Sequence, residues 1–284
     1  MRKILVVISL TFLGSILFGN LRILLAQAGP KPRYISLAPS TTEILFALGL
    51  DTEIVGVSSY CDYPKAAEDK EKVGDFSQPN IEKIIFLKPD CVFCTGLEQA
   101  PIITKLRQLN LRVYVADPVN IKGLFNSIRD ISKITHKEKE AERLIKEMEN
   151  QIEAVASQAK LTPQAQRPKV FIEIWHDPLT TAGKGSFIDE LITLAGAVNI
   201  AYDTRRPYSI FSPEEVISRN QDYIILAYMD KENPVKLRDK RFGWSNISAV
   251  KNNRVYNDIN PDILLRPGPR IVEGLREIYK RLHR

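Results

Sequence analysis

The sequence is short of the residues that build metal sites and disulfide scaffolds. Its 284 residues include only three cysteines and three histidines. A small and odd number of cysteines excludes a disulfide framework. His136 falls in the first turn of a predicted helix and His283 at the end of the chain, so they cannot join His176 in a three-histidine metal site. The sequence therefore argues against a zinc or manganese protein, and we expect no metal site.

The chain also has little excess of either charge. Its formal net charge is +6, and three of the basic residues, Arg2, Lys3 and Arg22, lie in an N-terminal segment that we expect to be removed. The mature chain would then carry a charge of about +3. A charge this small gives no reason to expect a nucleic acid as the partner.

The first 28 residues have the pattern of a secretory signal peptide. A cationic start precedes an almost wholly apolar run over residues 4–19, and Ala26-Gln27-Ala28 has the small-x-small pattern of a signal-peptidase site. Because this triplet is present, cleavage is favoured over an uncleaved membrane anchor. We expect the mature protein in the periplasm. No cysteine follows the apolar run, so the sequence does not indicate a lipid anchor.

One long helix is predicted near the middle of the chain, over Thr135–Lys160. Its apolar residues recur at the i, i+3, i+4, i+7 spacing of a single buried stripe, and Thr135 with Glu138 has the pattern of a capping box. A helix of this length spans roughly 34 Å, about the width of a small domain. We therefore expect it to act as a rigid strut between two lobes.

The segments on the two sides of this helix resemble each other. Each contains strands and helices in a β-α-β-α-β order, and Asn80–Ile85 matches Ser212–Ile217 at an offset of 132 residues. The pattern predicts an α/β fold of two Rossmann-like lobes with parallel sheets, joined by one long rigid helix, with a ligand cleft between the lobes. The predicted divisions are a signal peptide (1–28), an N-terminal α/β lobe (29–120), a linking helical segment (121–163) and a C-terminal α/β lobe (164–284).

Cys91 and Cys94 form a CxxC pair, but the residues around them predict a buried strand. Residues three apart in a strand point to opposite faces, so we expect neither a metal site nor a redox site from this pair. A disulfide between Cys61 and Cys94 stays open because the predicted compartment is oxidising, although it would leave Cys91 unpaired. We favour three free thiols.

Four stretches of the chain carry a family resemblance: Ile35–Glu43, Val55–Pro64, Lys88–Asp90 and Arg266–Arg270. With them the chain resembles the class III periplasmic substrate-binding proteins of ABC importers for cobalamin, haem and ferric siderophores. The resemblance covers essentially the whole mature chain, and Ser59–Pro64 with Thr181–Lys184 is most similar to the cobalamin-binding branch. It implies a solute-binding protein with no catalytic site and no cofactor of its own, which passes a corrinoid to a membrane permease dimer.

The resemblance also implies a set of ligand-binding residues. A corrinoid is a large, flat, partly apolar macrocycle with amides at its edge, so its site needs aromatic faces and hydrogen-bond donors. Aromatic side chains of this kind are Tyr60, Tyr208 and Phe76, the last standing where the family has tryptophan. Two other aromatic positions of the family are Thr95 and Thr180 here. At the rim of the cleft we expect Trp175, His176, Asp262 and Arg266.

Several alternatives stay open at this point. Core packing could explain each aromatic residue taken singly. Haem or a ferric siderophore could replace the corrinoid, and His176 could then ligate the metal of the ligand, although a polar loop residue is the simpler explanation. A periplasmic hydrolase or chelatase could use His176 with Asp177 and Ser186. However, Gly183–Ser186 is neither a nucleophile elbow nor a phosphate loop, and Ser186 is better explained as a helix cap.

Two glutamates are related by the internal repeat. Glu82 and Glu214 are 132 residues apart, and each is the second residue of its predicted helix, behind Asn80 or Ser212. The helix dipole favours an acidic residue there without any partner, which explains each glutamate but not their symmetry. The family resemblance implies that glutamates at these positions form salt bridges with permease arginines, one on each subunit. We therefore expect Glu82 and Glu214 to be permease-docking residues.

Overall fold

The first lobe is a four-stranded parallel sheet with helices around it. The structure is a computed structural model that describes residues 30–228 and 241–283, so the predicted signal peptide lies outside the described residues. The strand order is β2-β1-β3-β4. The strands are β1 (Tyr34–Ser36), β2 (Ile54–Val57), β3 (Cys91–Cys94) and β4 (Val113–Val115), and the helices are α1 (Pro39–Ala47), α2 (Ile81–Phe86) and α3 (Ala100–Gln108).

Both faces of this sheet are covered by apolar side chains. Cys91 and Phe93 belong to one buried cluster, whereas Val92 and Cys94 belong to another. This alternation is the one expected of a strand that is buried on both faces. The two cysteines of the CxxC pair therefore point to opposite faces, as the sequence predicted.

The second lobe has a six-stranded sheet. Its strands are β5 (Lys169–His176), β6 (Leu179–Ala182), β7 (Val198–Asn199), β8 (Tyr208–Ile210), β9 (Tyr223–Leu226) and β10 (Val255–Tyr256). Its helices are α6 (Phe187–Leu194), α7 (Pro213–Arg219), α8 (Ser248–Lys251), α9 (Asp262–Leu265) and α10 (Ile271–Leu282).

The α/β class with two lobes is confirmed, but the second sheet is mixed. Strands β10, β9 and β5 run parallel, whereas β6 is antiparallel to both β5 and β8. The chain reverses at Asp177 and Pro178, between β5 and β6. A connection this short can join only antiparallel strands, because a parallel crossover needs a dozen or more residues. The prediction of a parallel sheet is therefore wrong for β6.

The linking segment consists of two helices, α4 (Ile121–Thr135) and α5 (Glu138–Ala159). The prediction that the long helix begins at Thr135 with a capping box is wrong. The Thr135 hydroxyl donates to the Ile131 carbonyl oxygen of its own helix at 2.9 Å, and His136 has a left-handed backbone with φ of 56°. A left-handed residue ends a helix. Helix α5 has 22 residues and spans about 33 Å.

Helix α5 joins the two lobes. It packs against α4 on one side and against α6 and α10 of the second lobe on the other. Residues of its predicted apolar stripe, including Ala141, Ile145 and Met148, are buried. They belong to a single apolar cluster that also contains Leu45 of the first lobe and Ile172 of the second. The role of this helix as a strut is therefore supported by a core shared between the lobes.

The three cysteines are free and buried. Cys61 lies in a polar cluster, where its sulfur is 3.1 Å from the Thr42 hydroxyl oxygen and 3.2 Å from that of Ser58. The disulfide between Cys61 and Cys94 that the sequence left open is therefore not formed. Within residues 30–228 and 241–283, no three potential metal ligands group together, and no helix is long and apolar enough to cross a membrane.

Candidate functional site

The predicted ligand-binding aromatic residues lie in loops of the first lobe and at strand ends of the second. On the first lobe, Tyr60 lies in the loop after β2 and Phe76 in the loop before α2. On the second lobe, Trp175 and His176 end β5, and Tyr208 begins β8. Ligands of open α/β sheets bind at the carboxyl ends of strands, where Trp175 and His176 lie, whereas Tyr208 lies at the amino end of β8.

The first-lobe loops are held together by a buried glutamine that the sequence analysis missed. The Gln99 side-chain amide donates to the carbonyl oxygens of Leu37 at 3.0 Å and Phe76 at 2.8 Å. Its side-chain oxygen accepts from the backbone N–H of Thr95 at 2.9 Å. These contacts tie the ends of β1 and β3 to the loop that carries Phe76. No sequence signal marks Gln99, because its partners are backbone atoms distant in the chain.

The aromatic side chains of the first-lobe loops are open to solvent to different degrees. Tyr60 is 57% exposed, whereas Phe76 is partly buried. Neither ring packs against another aromatic ring within the described part of the chain. An exposed tyrosine ring on a loop held by the fold is available to a ligand. Core packing, the alternative considered from the sequence, does not account for Tyr60.

The second-lobe wall contains a short aromatic row. The Trp175 and His176 ring centroids are 5.1 Å apart, and those of His176 and Tyr228 are 5.8 Å apart. The Trp175 indole N–H donates to the Asp177 carbonyl oxygen at 2.9 Å, which fixes the ring although the residue is 39% exposed. Trp175 and His176, which the sequence placed at the rim, therefore lie side by side at the end of β5.

Tyr208 lies on the second lobe, and the charge of a first-lobe residue affects the pKa of its phenol. It is 50% exposed. Loss of hydration and then the negative charge of Asp117 raise the pKa of its phenol. Asp117 follows β4 of the first lobe. Tyr208 is therefore close enough to the first lobe for the charge of Asp117 to act on its phenol.

A buried ion pair between Glu173 and Arg241 contacts Tyr228 of the aromatic row. The Glu173 carboxylate, in the interior of the second lobe, accepts two hydrogen bonds from Arg241, at 2.6 and 2.7 Å, and one from the Tyr228 hydroxyl. Burial and the Glu173 charge raise the pKa of Tyr228. Arg241 also donates to the His176 carbonyl oxygen at 3.4 Å. No local pattern in the sequence indicates this cluster, because Arg241 is 68 residues from Glu173.

Arg266 and Asp262 come together, as the sequence predicted, but in an ion pair that links the lobes. Arg266 lies 3.0 Å from the Asp262 carboxylate and 2.5 Å from that of Asp62 in the first lobe. Burial alone would raise the pKa of Asp62, but the hydrogen bond and charge of Arg266 outweigh it and lower the pKa. The Arg266 guanidinium is therefore held between two carboxylates at the edge of the cleft.

A second ion pair joins the lobes nearby. Arg270 binds the buried Glu43 carboxylate through two hydrogen bonds, at 2.6 and 3.0 Å, and its guanidinium lies 3.8 Å from the Tyr63 ring centroid. Burial raises the pKa of Glu43, and the hydrogen bond from Arg270 opposes that rise. A cavity of about 560 Å³ between α1, α5 and α10 adjoins this pair. Its lining includes none of the predicted ligand residues.

Glu82 and Glu214 occupy matching places on the two lobes. Asn80 caps α2 by accepting from the Lys83 N–H at 2.9 Å, and Ser212 caps α7 by accepting from the Glu215 N–H at 3.1 Å. Both glutamates are exposed, and neither pairs with a cation within residues 30–228 and 241–283. Its own backbone N–H and the Ser212 hydroxyl lower the pKa of Glu214, which keeps it ionised. The matching caps predicted from the sequence are confirmed.

Comparison with known proteins identifies several relatives of the chain. The family model described as periplasmic binding protein matches residues 35–260. An uncharacterised ABC transporter substrate-binding lipoprotein of Bacillus subtilis is 36% identical over 259 residues, which cover 89% of this chain and 80% of the relative. A vitamin B12-binding protein of Vibrio cholerae is 30% identical over 257 residues, which cover 90% of each chain.

Solved structures have the same fold. A possible iron-binding, periplasmic solute-binding protein of Staphylococcus epidermidis is similar at a TM-score of 0.79 and 30% identity, covering 90% of this chain and all of the other. The periplasmic vitamin B12 binding protein of Vibrio cholerae is similar at a TM-score of 0.75 and 29% identity, and the match covers 89% of this chain and 97% of the other. A periplasmic haem-binding protein of a Roseiflexus species is similar at a TM-score of 0.77 and 25% identity, and the match covers 89% of this chain and all of the other. The chain belongs to the periplasmic binding protein family, as a substrate-binding protein of an ABC transporter.

Proposed function

We propose that the protein captures a corrinoid such as cobalamin outside the cytoplasm and delivers it to the permease of an ABC importer. The observation that carries the proposal is the exposure of two tyrosines on different lobes, 57% for Tyr60 and 50% for Tyr208. A flat macrocycle between them would cover both rings. Burying a planar face against one ring contributes roughly 1.5 kcal/mol or more. The relatives that bind vitamin B12 support this choice of ligand.

The remaining predicted residues suit the edge of such a ligand. Trp175 and His176 offer an aromatic surface beside Tyr208, and Phe76 adds an apolar one on the first lobe. Asp262 and Arg266 present a carboxylate and a guanidinium that can exchange hydrogen bonds with side-chain amides of the ligand. We propose that the protein is not an enzyme, since a binding role needs none of these residues to react.

Haem is a second candidate ligand. The observation that favours it is the position of His176, whose ring lies between those of Trp175 and Tyr228 at the end of β5. A neutral imidazole at a cleft edge can ligate a haem iron. A haem-binding protein is also among the similar structures. A ferric siderophore is the third candidate, and no single contact in the cleft favours it.

Titration of the mature protein with cyanocobalamin, haemin and a ferric siderophore separates these candidates. We expect one cyanocobalamin to bind per chain, with the weakest binding for the siderophore. Tighter binding of haemin, lost in a His176→Ala variant, would replace the corrinoid with haem. The released ligand should be chemically unchanged, because conversion of the ligand would indicate an enzyme.

Export through a cleaved signal peptide is part of the proposal. The mass of the protein isolated from the periplasm should match a chain that begins at residue 29 or close to it. A mass that includes residues 1–28, or an added lipid, would overturn this part.

Delivery is proposed to use Glu82 and Glu214. Each exposed ion pair contributes little alone, so the two changes are combined in one variant. We expect Glu82→Ala with Glu214→Ala to leave the affinity for cyanocobalamin unchanged and to abolish its uptake by the ABC importer that requires this protein. The measurement is uptake of labelled cyanocobalamin at equal protein level. Uptake equal to that of the parent protein would rule out the docking role.

A further inference from the structure

The helix that carries Glu82 also presents an exposed apolar surface. Ile85 and Phe86 follow Glu82 by three and four residues, so they lie on the same side of α2. Ile84 faces inward and is buried, whereas Ile85 is exposed and Phe86 is 82% exposed. The Phe86 ring therefore contributes little to the core of the first lobe, and it lies about one helical turn from the exposed Glu82 carboxylate.

The second lobe has an exposed phenylalanine beside its matching helix. Phe242 is 99% exposed. The next residue, Gly243, has a positive φ and approaches α7 so closely that a Cβ there would lie 2.8 Å from the Ile217 Cδ1 atom. Ile217 follows Glu214 by three residues. The repeat does not match Phe242 with Phe86, since these residues are 156 apart rather than 132. Each lobe thus carries an exposed phenylalanine on, or next to, the helix that bears its predicted docking glutamate, although the two phenylalanines come from different chain segments.

We infer that Phe86 and Phe242 are apolar anchors by which the protein docks on the permease dimer, one anchor for each permease subunit. The inference rests on the proposed docking role of Glu82 and Glu214 and extends it. The partner surface must be apolar where the rings insert and basic where the carboxylates meet it. A permease subunit with an apolar pocket beside an arginine has this chemistry.

A lipid surface fits this pair of patches less well. Bilayers carry negative charge at their surface and attract basic segments. Glu82 lies one helical turn from Phe86, and Glu214 lies on the helix next to Phe242, so a negatively charged lipid surface would repel both sites. The charge next to the rings therefore favours a basic protein surface as the occupant.

The anchors also account for how two exposed ion pairs could hold a complex. An exposed pair contributes little in water because solvent screens it. Interfaces concentrate their binding energy in a few aromatic residues, and water is excluded around them. With Phe86 and Phe242 inserted, the neighbouring carboxylates would be shielded from solvent. The effects of changing the ring and the glutamate on one lobe should therefore be less than additive.

The test is the dissociation constant of the ligand-loaded mature protein for that importer in lipid nanodiscs. Phe86→Ala and Phe242→Ala should each weaken the complex about tenfold or more. Leu161→Ala is the matched control, since Leu161 is 83% exposed. It follows α5, whose last residue Ala159 packs against Gly196, just before the strand that pairs with the amino end of β5. It thus lies away from the cleft edge, and this variant should bind as the parent does. All three variants should keep the ligand affinity and the melting temperature of the parent.

The outcomes separate the inference from the proposed function. If the Glu82→Ala, Glu214→Ala double variant binds the importer like the parent, the docking part of the proposed function fails. If that variant loses binding but either phenylalanine variant keeps it, only the two-anchor inference is overturned. Phenylalanine-dependent binding to protein-free vesicles containing anionic lipid would assign the rings to the membrane and also overturn it.

Discussion

The three cysteine side chains are enclosed by the first lobe. Burial raises the pKa of Cys91 to about 11 and that of Cys94 to about 12, and it also raises the pKa of Cys61. A thiol reacts as the thiolate, so all three should be inert at pH 8 in the folded protein. Titration with a thiol reagent should find no reactive group before denaturation and three after it. Fewer than three thiols in denaturant would contradict the unpaired state.

Glu173 is fully buried in the second lobe, where its carboxylate pairs with Arg241. Glu173→Gln keeps the shape of the side chain but leaves Arg241 without its counter-charge. Breaking one partner of a buried pair typically destabilises by about 3 kcal/mol. We expect a loss of that size in the free energy of unfolding, measured with urea at pH 7.

The exposed pair of Arg129 and Glu142, at 2.7 Å, provides the control. Glu142→Gln should leave the unfolding curve unchanged, because solvent already screens that pair. An equally small effect of Glu173→Gln would contradict the account of the buried cluster.

Residues of the candidate site differ in how far the sequence could predict them. Arg266 was singled out because it begins the short motif Arg266–Arg270. Gln99 and Glu173 were not, because Gln99 binds backbone atoms and Glu173 pairs with Arg241, 68 residues later. Such partners are brought together only by the fold. Residue type and local spacing therefore singled out candidate ligand residues but not the buried groups next to them.

Among the elements, the junction of α4 and α5 shows where a local pattern gave the wrong boundary. Thr135 and Glu138 have the spacing of a capping box, yet Thr135 ends α4. The apolar stripe of α5 was predicted correctly, because burial against both lobes dictates its period. The helix start depended on the left-handed His136, and nothing in its residue type required that conformation.

A glycine at position 136 tests this junction. Glycine adopts a left-handed backbone without the steric cost that histidine bears, so His136→Gly should be neutral or stabilise the protein by up to about 1 kcal/mol. In a helix that continued from α4 into α5, position 136 would be interior, and the same change would destabilise by about 1 kcal/mol. Arg143→Gly, at an exposed position within α5, should show that loss. Urea unfolding of the two variants distinguishes these cases, and equal losses would restore the single helix.

In the second lobe, the predicted strands and helices appear in the predicted order along the chain, but the direction of β6 within the sheet was not predicted. The segments β5, α6, α7 and β9 all appear where the sequence placed a strand or a helix. Ser186 caps α6 as predicted, accepting from the Asp189 N–H at 3.1 Å. The antiparallel hairpin was missed because β6 has only four residues, too few for its alternation to stand out beside the turn at Asp177 and Pro178.

At the scale of the whole molecule, the two lobes are tied together at three places. Helix α5 shares one apolar core with both, and the pairs Asp62–Arg266 and Glu43–Arg270 bridge them beside the cleft. A rigid helix bends less easily than two or three extended strands would. A small closure on ligand binding therefore stays a prediction of this architecture, and the cleft should be largely formed before the ligand arrives.

The central claim is that this preformed cleft binds a corrinoid between aromatic side chains of the two lobes. Calorimetric titration of cyanocobalamin into the parent protein, Tyr60→Ala and Tyr208→Ala tests it most directly. We predict one site per chain in the parent and an affinity about tenfold weaker in each variant, because each loses one ring face of roughly 1.5 kcal/mol. Equal affinities in all three proteins, or no binding to the parent, would contradict the claim.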